Sequence, residues 1–161
     1  MSAPSRGPAI GGLILAGGQN RRMGGRPKAA LRDSAGVRFL DRIASALLAC
    51  RSDGLLAVSC DVPLVTPELF SFLLSFRDRG WPAWAVEDRT GRLHPLCGVY
   101  MKDCLPLLLS QLEQGCRRVT QFFYSAGGQV VSLADTSIPD TALSNINTPE
   151  DWNRLSSSGN I

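Results

Sequence analysis

The sequence predicts an α/β fold in which a mostly parallel sheet lies between two layers of helix. Short runs rich in Ile, Leu and Val alternate along the chain with stretches whose apolar residues recur every three or four positions. The first such run ends in glycines, as strands do that turn at the carboxyl edge of a parallel sheet. With 161 residues, 44% of them apolar, the chain can build one core, so a single domain over residues 1–161 is expected, fraying at 1–8 and 156–161.

The elements follow in order. Ile10 to Leu15 reads as a short buried strand stopped by the glycines after it. A loop from Ala16 to Ser34 follows. Leu40, Ile43, Ala44, Leu47 and Leu48 then fall at i, i+3, i+4, i+7 and i+8, the stripe of an amphipathic helix. Gly54 to Cys60 reads as the next strand, closed by the sequence DVP. Thr66-Pro67 supplies an N-cap and a proline at the first position of a second helix, whose stripe is Leu69, Phe72, Leu73 and Phe76. Trp84 to Glu87 and Cys97 to Met101 read as strands flanking a turn at Thr90-Gly91. A third helix carries Leu105, Leu108, Leu109 and Leu112 as core. A strand at Gln129 to Leu133 and a final helix begun at Thr148-Pro149 complete the chain.

Composition excludes several classes of function. Seventeen Lys and Arg against fourteen Asp and Glu leave a net charge of +3, too little to argue for nucleic acid or an anionic membrane as partner. No apolar run approaches the roughly 20 residues of a membrane span. Five cysteines without a CxxC pair suggest neither a disulfide framework nor a zinc site and read as reduced thiols, which places the chain in the cytoplasm. With one histidine, His94, and no Ser/His/Asp set, nucleophilic hydrolysis is not indicated.

The positive excess is local. LAGGQNRRMGGRPK, Leu15 to Lys28, holds four glycines and four cationic side chains. Gly17 and Gly18 let backbone N–H groups approach a phosphate closely, and Arg22 and Lys28 can neutralise a polyphosphate. The loop is neither a Walker A motif nor GxGxxG, and a plain surface loop is the alternative. The second constellation is CDVP, Cys60 to Pro63. A carboxylate at Asp61, just beyond an apolar parallel strand, suits the Mg²⁺ that accompanies nucleoside triphosphates, or else it caps the following turn.

Taken together, these segments resemble the molybdenum cofactor guanylyltransferases, the MobA family. LAGGQNRRMGGRPK is similar to the family's LAGGxxxRMGxxxK, CDVPLV to its metal-binding segment, HPL at His94 to Leu96 to its HP motif, RRV at Arg117 to Val119 to its RRV, and NINTPEDW at Asn145 to Trp152 to its NxNTPE. All five occur in family order. The resemblance implies a Rossmann-like nucleotidyltransferase fold and transfer of GMP from GTP to molybdopterin, releasing pyrophosphate and forming a guanine dinucleotide cofactor for molybdoenzymes. It further implies that Leu15, Ala16, Gly17, Gly18, Lys28 and Asp61 bind GTP and that Arg22, Lys28 and Asp61 are catalytic. Asp61 would bind Mg²⁺, and Arg118, Asn145, Asn147 and His94 would face molybdopterin. The residue-level alternatives are a turn role for His94 and capping of the last helix for Asn145 and Asn147. LAGG, where the related cytidylyltransferases carry LAAG, favours guanine over cytosine.

Two departures from the pattern stand out. Pro27 replaces the aspartate that usually precedes the loop lysine. Between Arg42 and Arg51 the chain passes from the family's first helix straight to the approach to CDVP, so roughly 40 residues, about two βα units, have no counterpart. In the family's 3-2-1-4 strand order the missing strands lie beyond strand one, so strand one should become a sheet edge beside the CDVP strand, inviting self-association. The retained helix must then cover the opposite face from the family's first helix. The missing segment also carries the base-reading groups, so activity should be impaired or base selectivity relaxed. A non-catalytic molybdopterin binder is the remaining alternative.

Overall fold

A computed structural model describes residues 7–15, 39–116, 118–146, 148–151 and 153. Five strands form one sheet: β1 (Ile10–Leu15), β2 (Gly54–Ser59), β3 (Ala83–Glu87), β4 (Leu93–Met101) and β5 (Gln129–Ser132). Their order is β1-β2-β4-β3-β5. β1 and β2 pair parallel, β4 runs antiparallel to both of its neighbours, and β3 and β5 pair parallel. Four strands therefore share one direction and β4 alone opposes them. The predicted neighbours are in place, for β1 is an edge strand whose partner is the strand leading into CDVP, with Leu15 in register with Ser59.

Strict alternation along the strands sorts the core into two faces. Leu15, Leu55, Ala57, Ala85 and Tyr100 pack under α1 (Phe39–Ala49), α3 (Leu105–Glu113) and α4 (Val119–Ser125). Leu56, Trp84, Val86, Val99 and Val131 face α2 (Pro67–Leu74) and the 3₁₀ turn Asp140–Leu143 on the other side. Burial of these apolar surfaces is the main driving force for the three layers. Trp84 adds a directional tie, its indole Nε1 donating to the Leu73 carbonyl at 2.7 Å.

The helix signals read from sequence are met at their starts. Thr66 Oγ1 accepts from the Leu69 amide at 3.3 Å, so α2 has its predicted cap with Pro67 at the first position. Thr148 and Asp151 cap each other reciprocally at 3.0 and 3.1 Å, opening the helical turn at 149–151. In α1 the stripe is narrower than expected, for Leu40, Ile43, Ala44 and Leu47 are buried but Leu48 is 61% exposed. α4 was not anticipated. Its signal is Val119, Phe122, Phe123 and Ala126 at i, i+3, i+4 and i+7, with both phenylalanines fully buried.

β4 begins earlier than its apolar run suggests, at Leu93, and so carries the HPL residues on a strand. The register against β3 jumps from Ala85↔Gly98 to Val86↔His94. This bulge absorbs Pro95, which cannot donate to a ladder. At Gly98 the strands approach so closely that a Cβ would lie 2.5 Å from the Trp84 carbonyl oxygen, which excludes any larger residue.

On the α2 face the edge is incompletely covered. Ile10, Gly12, Ile14, Leu56 and Val58 floor a hollow of about 540 Å³ walled by Val65, Phe70 and Leu74. Ile14 is 72% exposed.

Candidate functional site

The carboxyl ends of β1 and β2 are joined where the site begins. The Cys60 amide donates to the Leu15 carbonyl at 3.0 Å, so the residue from which the glycine-rich segment departs is bonded to the neighbour of Asp61. The Leu15 side chain is buried in the core. Ala16, Gly17, Gly18, Arg22 and Lys28 lie outside the described residues, as does Asn147.

Asp61 lies two residues beyond β2 and lines a cavity of about 260 Å³. Ser59 and Val62 flank it, Arg92 comes from the turn just before β4, His94, Pro95 and Cys97 from β4, Val119 and Thr120 from the start of α4, and Asn145 from the C-terminal segment. The Ile146 amide donates to the Asp61 carbonyl at 2.7 Å, which ties the NxNTPE-like segment to CDVP. Three segments 30 or more residues apart in sequence, predicted as site residues, thus share one wall: Asp61, His94 and Asn145. Arg118 does not line the cavity. It is exposed and precedes α4, its carbonyl accepting from the Phe122 amide at 3.1 Å.

The Asp61 side chain has no hydrogen-bond or ionic partner among the described residues. A carboxylate so placed suits a hard cation. Among the described residues no group of three or more His, Cys, Asp and Glu could hold a metal by itself. An ion here would take most of its ligands from phosphate and water, as Mg²⁺ does.

His94 is held by the β3–β4 turn. Its Nε2 lies 2.8 Å from Asp88 Oδ2, with both side chains largely buried. The other oxygen, Oδ1, accepts from Thr90 N at 2.9 Å, Thr90 Oγ1 at 2.6 Å and Arg92 N at 3.1 Å. Gly91, at φ 81, closes this turn in the left-handed region. Desolvation works to raise the Asp88 pKa, but the hydrogen bonds from His94, Thr90 and Arg92 prevail and hold it well below the usual carboxylate range. His94 is therefore a strand residue fixed by a buried pair, rather than a turn histidine bonded to backbone. Cys97, by contrast, is pushed up to about 12 by burial and stays a protonated, inert wall.

Sequence reasoning missed Arg92, Thr120 and Ser59 in this wall. Arg92 could have been suspected, since it stands two residues before His94, where a strand returns to the same face.

Comparison with known proteins identifies the family. Residues 12–53 and 43–130 match the model of the MobA-like NTP transferase domain, in two pieces that overlap at 43–53. A probable molybdenum cofactor guanylyltransferase of Flavobacterium johnsoniae is 30% identical over 102 residues, covering 62% of this chain and 51% of that protein. The chain spans about half the length of the first curated relatives it matches. The molybdenum cofactor guanylyltransferase of Cereibacter sphaeroides is 28% identical over 190 residues, covering 91% of this chain and 95% of that protein. That alignment is longer than the 161-residue chain, so an internal part of the relative has no counterpart here. Among solved structures, molybdopterin-guanine dinucleotide biosynthesis protein A from Archaeoglobus fulgidus shares the fold at a TM-score of 0.66 and 22% identity, covering 77% of this chain and 64% of that one. The matched family model spans most of the chain, and this protein belongs to the MobA-like NTP transferase family.

Proposed function

We propose that this nucleotidyltransferase moves GMP from GTP to molybdopterin, releasing pyrophosphate. One observation carries the reading: Asp61, its carboxylate unpartnered among the described residues, shares a cavity with His94 and Asn145 beside the strand end from which the glycine-rich segment leaves. The attacking group is a phosphate, already anionic, so the protein's task is to position two anions and offset their charge. Arg22 and Lys28 supply cationic charge to the triphosphate, and the backbone of Gly17 and Gly18 admits it closely. Asp61 holds Mg²⁺, which when bound neutralises charge on the departing pyrophosphate. His94 and Asn145 line the side where the pterin enters.

The test is formation of the guanine dinucleotide cofactor from GTP, Mg²⁺ and molybdopterin, with Asp61→Ala as the comparison. The substitution should lower turnover about a hundredfold or more, the scale on which losing one electrostatic group acts in such sites. Equal rates for the two proteins would refute the role of Asp61. A second reading, a non-catalytic molybdopterin binder, is favoured by the missing internal segment. It predicts molybdopterin binding with no dinucleotide formed by either protein.

A further inference from the structure

We infer that Asp88 is a positioning residue, which fixes the tautomer of His94 so that Nδ1 faces the cavity as a hydrogen-bond acceptor for an N–H group of the pterin. The last clause rests on the transfer reading above, and the first does not.

An ionised carboxylate only accepts, so at 2.8 Å from Asp88 Oδ2 the His94 Nε2 must carry the proton. In the neutral ring Nδ1 is then a bare lone pair. Nothing among the described residues bonds to Nδ1. Nor is it sealed away, since the buried side-chain atom left without a partner among the described residues is Gln111 Oε1. His94 lines the cavity, so its free nitrogen is the one that a ligand there can use. The charged groups around it are Asp61 and Arg92, which line the same cavity, and Asp88 at Nε2. A polyphosphate offers only acceptors to such a nitrogen and gains nothing from it. A pterin carries N–H donors, and a site that offers a fixed acceptor rejects a ligand without the matching donor.

The turn makes the device rigid and sharply testable. Thr90 N and Arg92 N both donate to Asp88 Oδ1 and need an acceptor there. In Asp88→Asn the amide oxygen is pinned to those two N–H groups, which points the amide NH₂ at Nε2. The ring must then accept at Nε2 and carry its proton on Nδ1.

His94 is the sole histidine in the chain, so ring ¹H–¹⁵N correlation spectra of the neutral side chain report on it alone. Wild type should show the Nε2–H form and Asp88→Asn the Nδ1–H form. Thr90→Val, which loosens the turn without altering the ring's partner, should keep the Nε2–H form. An Nδ1–H ring in wild type, or an unchanged tautomer in Asp88→Asn, overturns the assignment of Asp88 without reference to any substrate. In the dinucleotide assay Asp88→Asn should raise the KM for molybdopterin about tenfold or more, the cost of opposing two donors, and leave that for GTP unchanged. An inverted tautomer with an unchanged molybdopterin KM would overturn the pterin contact. Absence of any transfer by wild type would count against the transfer reading and leave the tautomer result standing.

Discussion

Asp61 and Asp88 show how two residues of one chemical type take opposite roles through what surrounds them. The Asp61 carboxylate sits just beyond a strand end with no hydrogen-bond or ionic partner among the described residues, which suits the cation-binding role proposed for it. Asp88 has both oxygens engaged, Oδ1 by Thr90 and Arg92 and Oδ2 by His94. Because its folded pKa is depressed, its contribution to stability is fully present above the unfolded value of about 3.9 and is lost as pH falls below it. Asp88→Asn cannot titrate, so the wild type should lose more of its thermal stability between pH 5 and pH 2 than the variant does. Parallel losses in a melting series would show that the carboxylate is not ionised preferentially in the fold.

At the scale of elements, β1 combines features that exposed edge strands usually avoid. Its sequence, IGGLIL, has no charge, no proline and no bulge, and it ends the sheet beside an apolar hollow. The Ala9 carbonyl accepts from the Asp53 and Gly54 amides and the Leu15 carbonyl from Cys60. By alternation the backbone groups of Ile10, Gly12 and Ile14 therefore point outward, free to extend the sheet. Concentration-dependent self-association is the expected outcome in sedimentation, weakened by Ile14→Lys, a change at an exposed site that the fold tolerates. A wild type that remains monomeric over a wide concentration range would refute this. The elements themselves were largely legible, because β1, β2, α1 and α2 combine clear periodicity with glycine, threonine and proline at their ends. α4 and the first half of β4 were not, since Arg117-Arg118 and Arg92-Leu93-His94-Pro95 read locally as polar connections. Packing of Phe122 and Phe123, and pairing of His94 with Val86, override that local preference.

For the whole molecule, the missing internal segment decides what kind of enzyme remains. The core closes without it, since β1 still pairs with β2 and α1 still packs against α3. The cavity and the Asp61 carboxylate in its wall are retained, while the base-reading groups implied by family resemblance fall in the part without counterpart. Titration calorimetry with the Mg²⁺ complexes of GTP, ATP and CTP should give affinities within about tenfold of one another, the range left when binding comes mainly from phosphate charge and not from a paired base. A strong preference for GTP would place base recognition elsewhere in this chain.

The sequence by itself determined the alternation of strands and helices, the pairing of β1 with the CDVP strand, and three of the residues, Asp61, His94 and Asn145, on which the candidate site is built. Those properties follow from periodicity, capping and motif order, which are local and survive in one dimension. Only the tertiary structure decided that Asp61, His94 and Asn145 share a cavity that Arg118 does not line, that His94 is held on a bulged strand by Asp88, and that Arg92 and Thr120 join the wall. These depend on a register jump and on hydrogen bonds between segments distant in the chain. Their energy comes from three-dimensional packing, and no local pattern of residues encodes it.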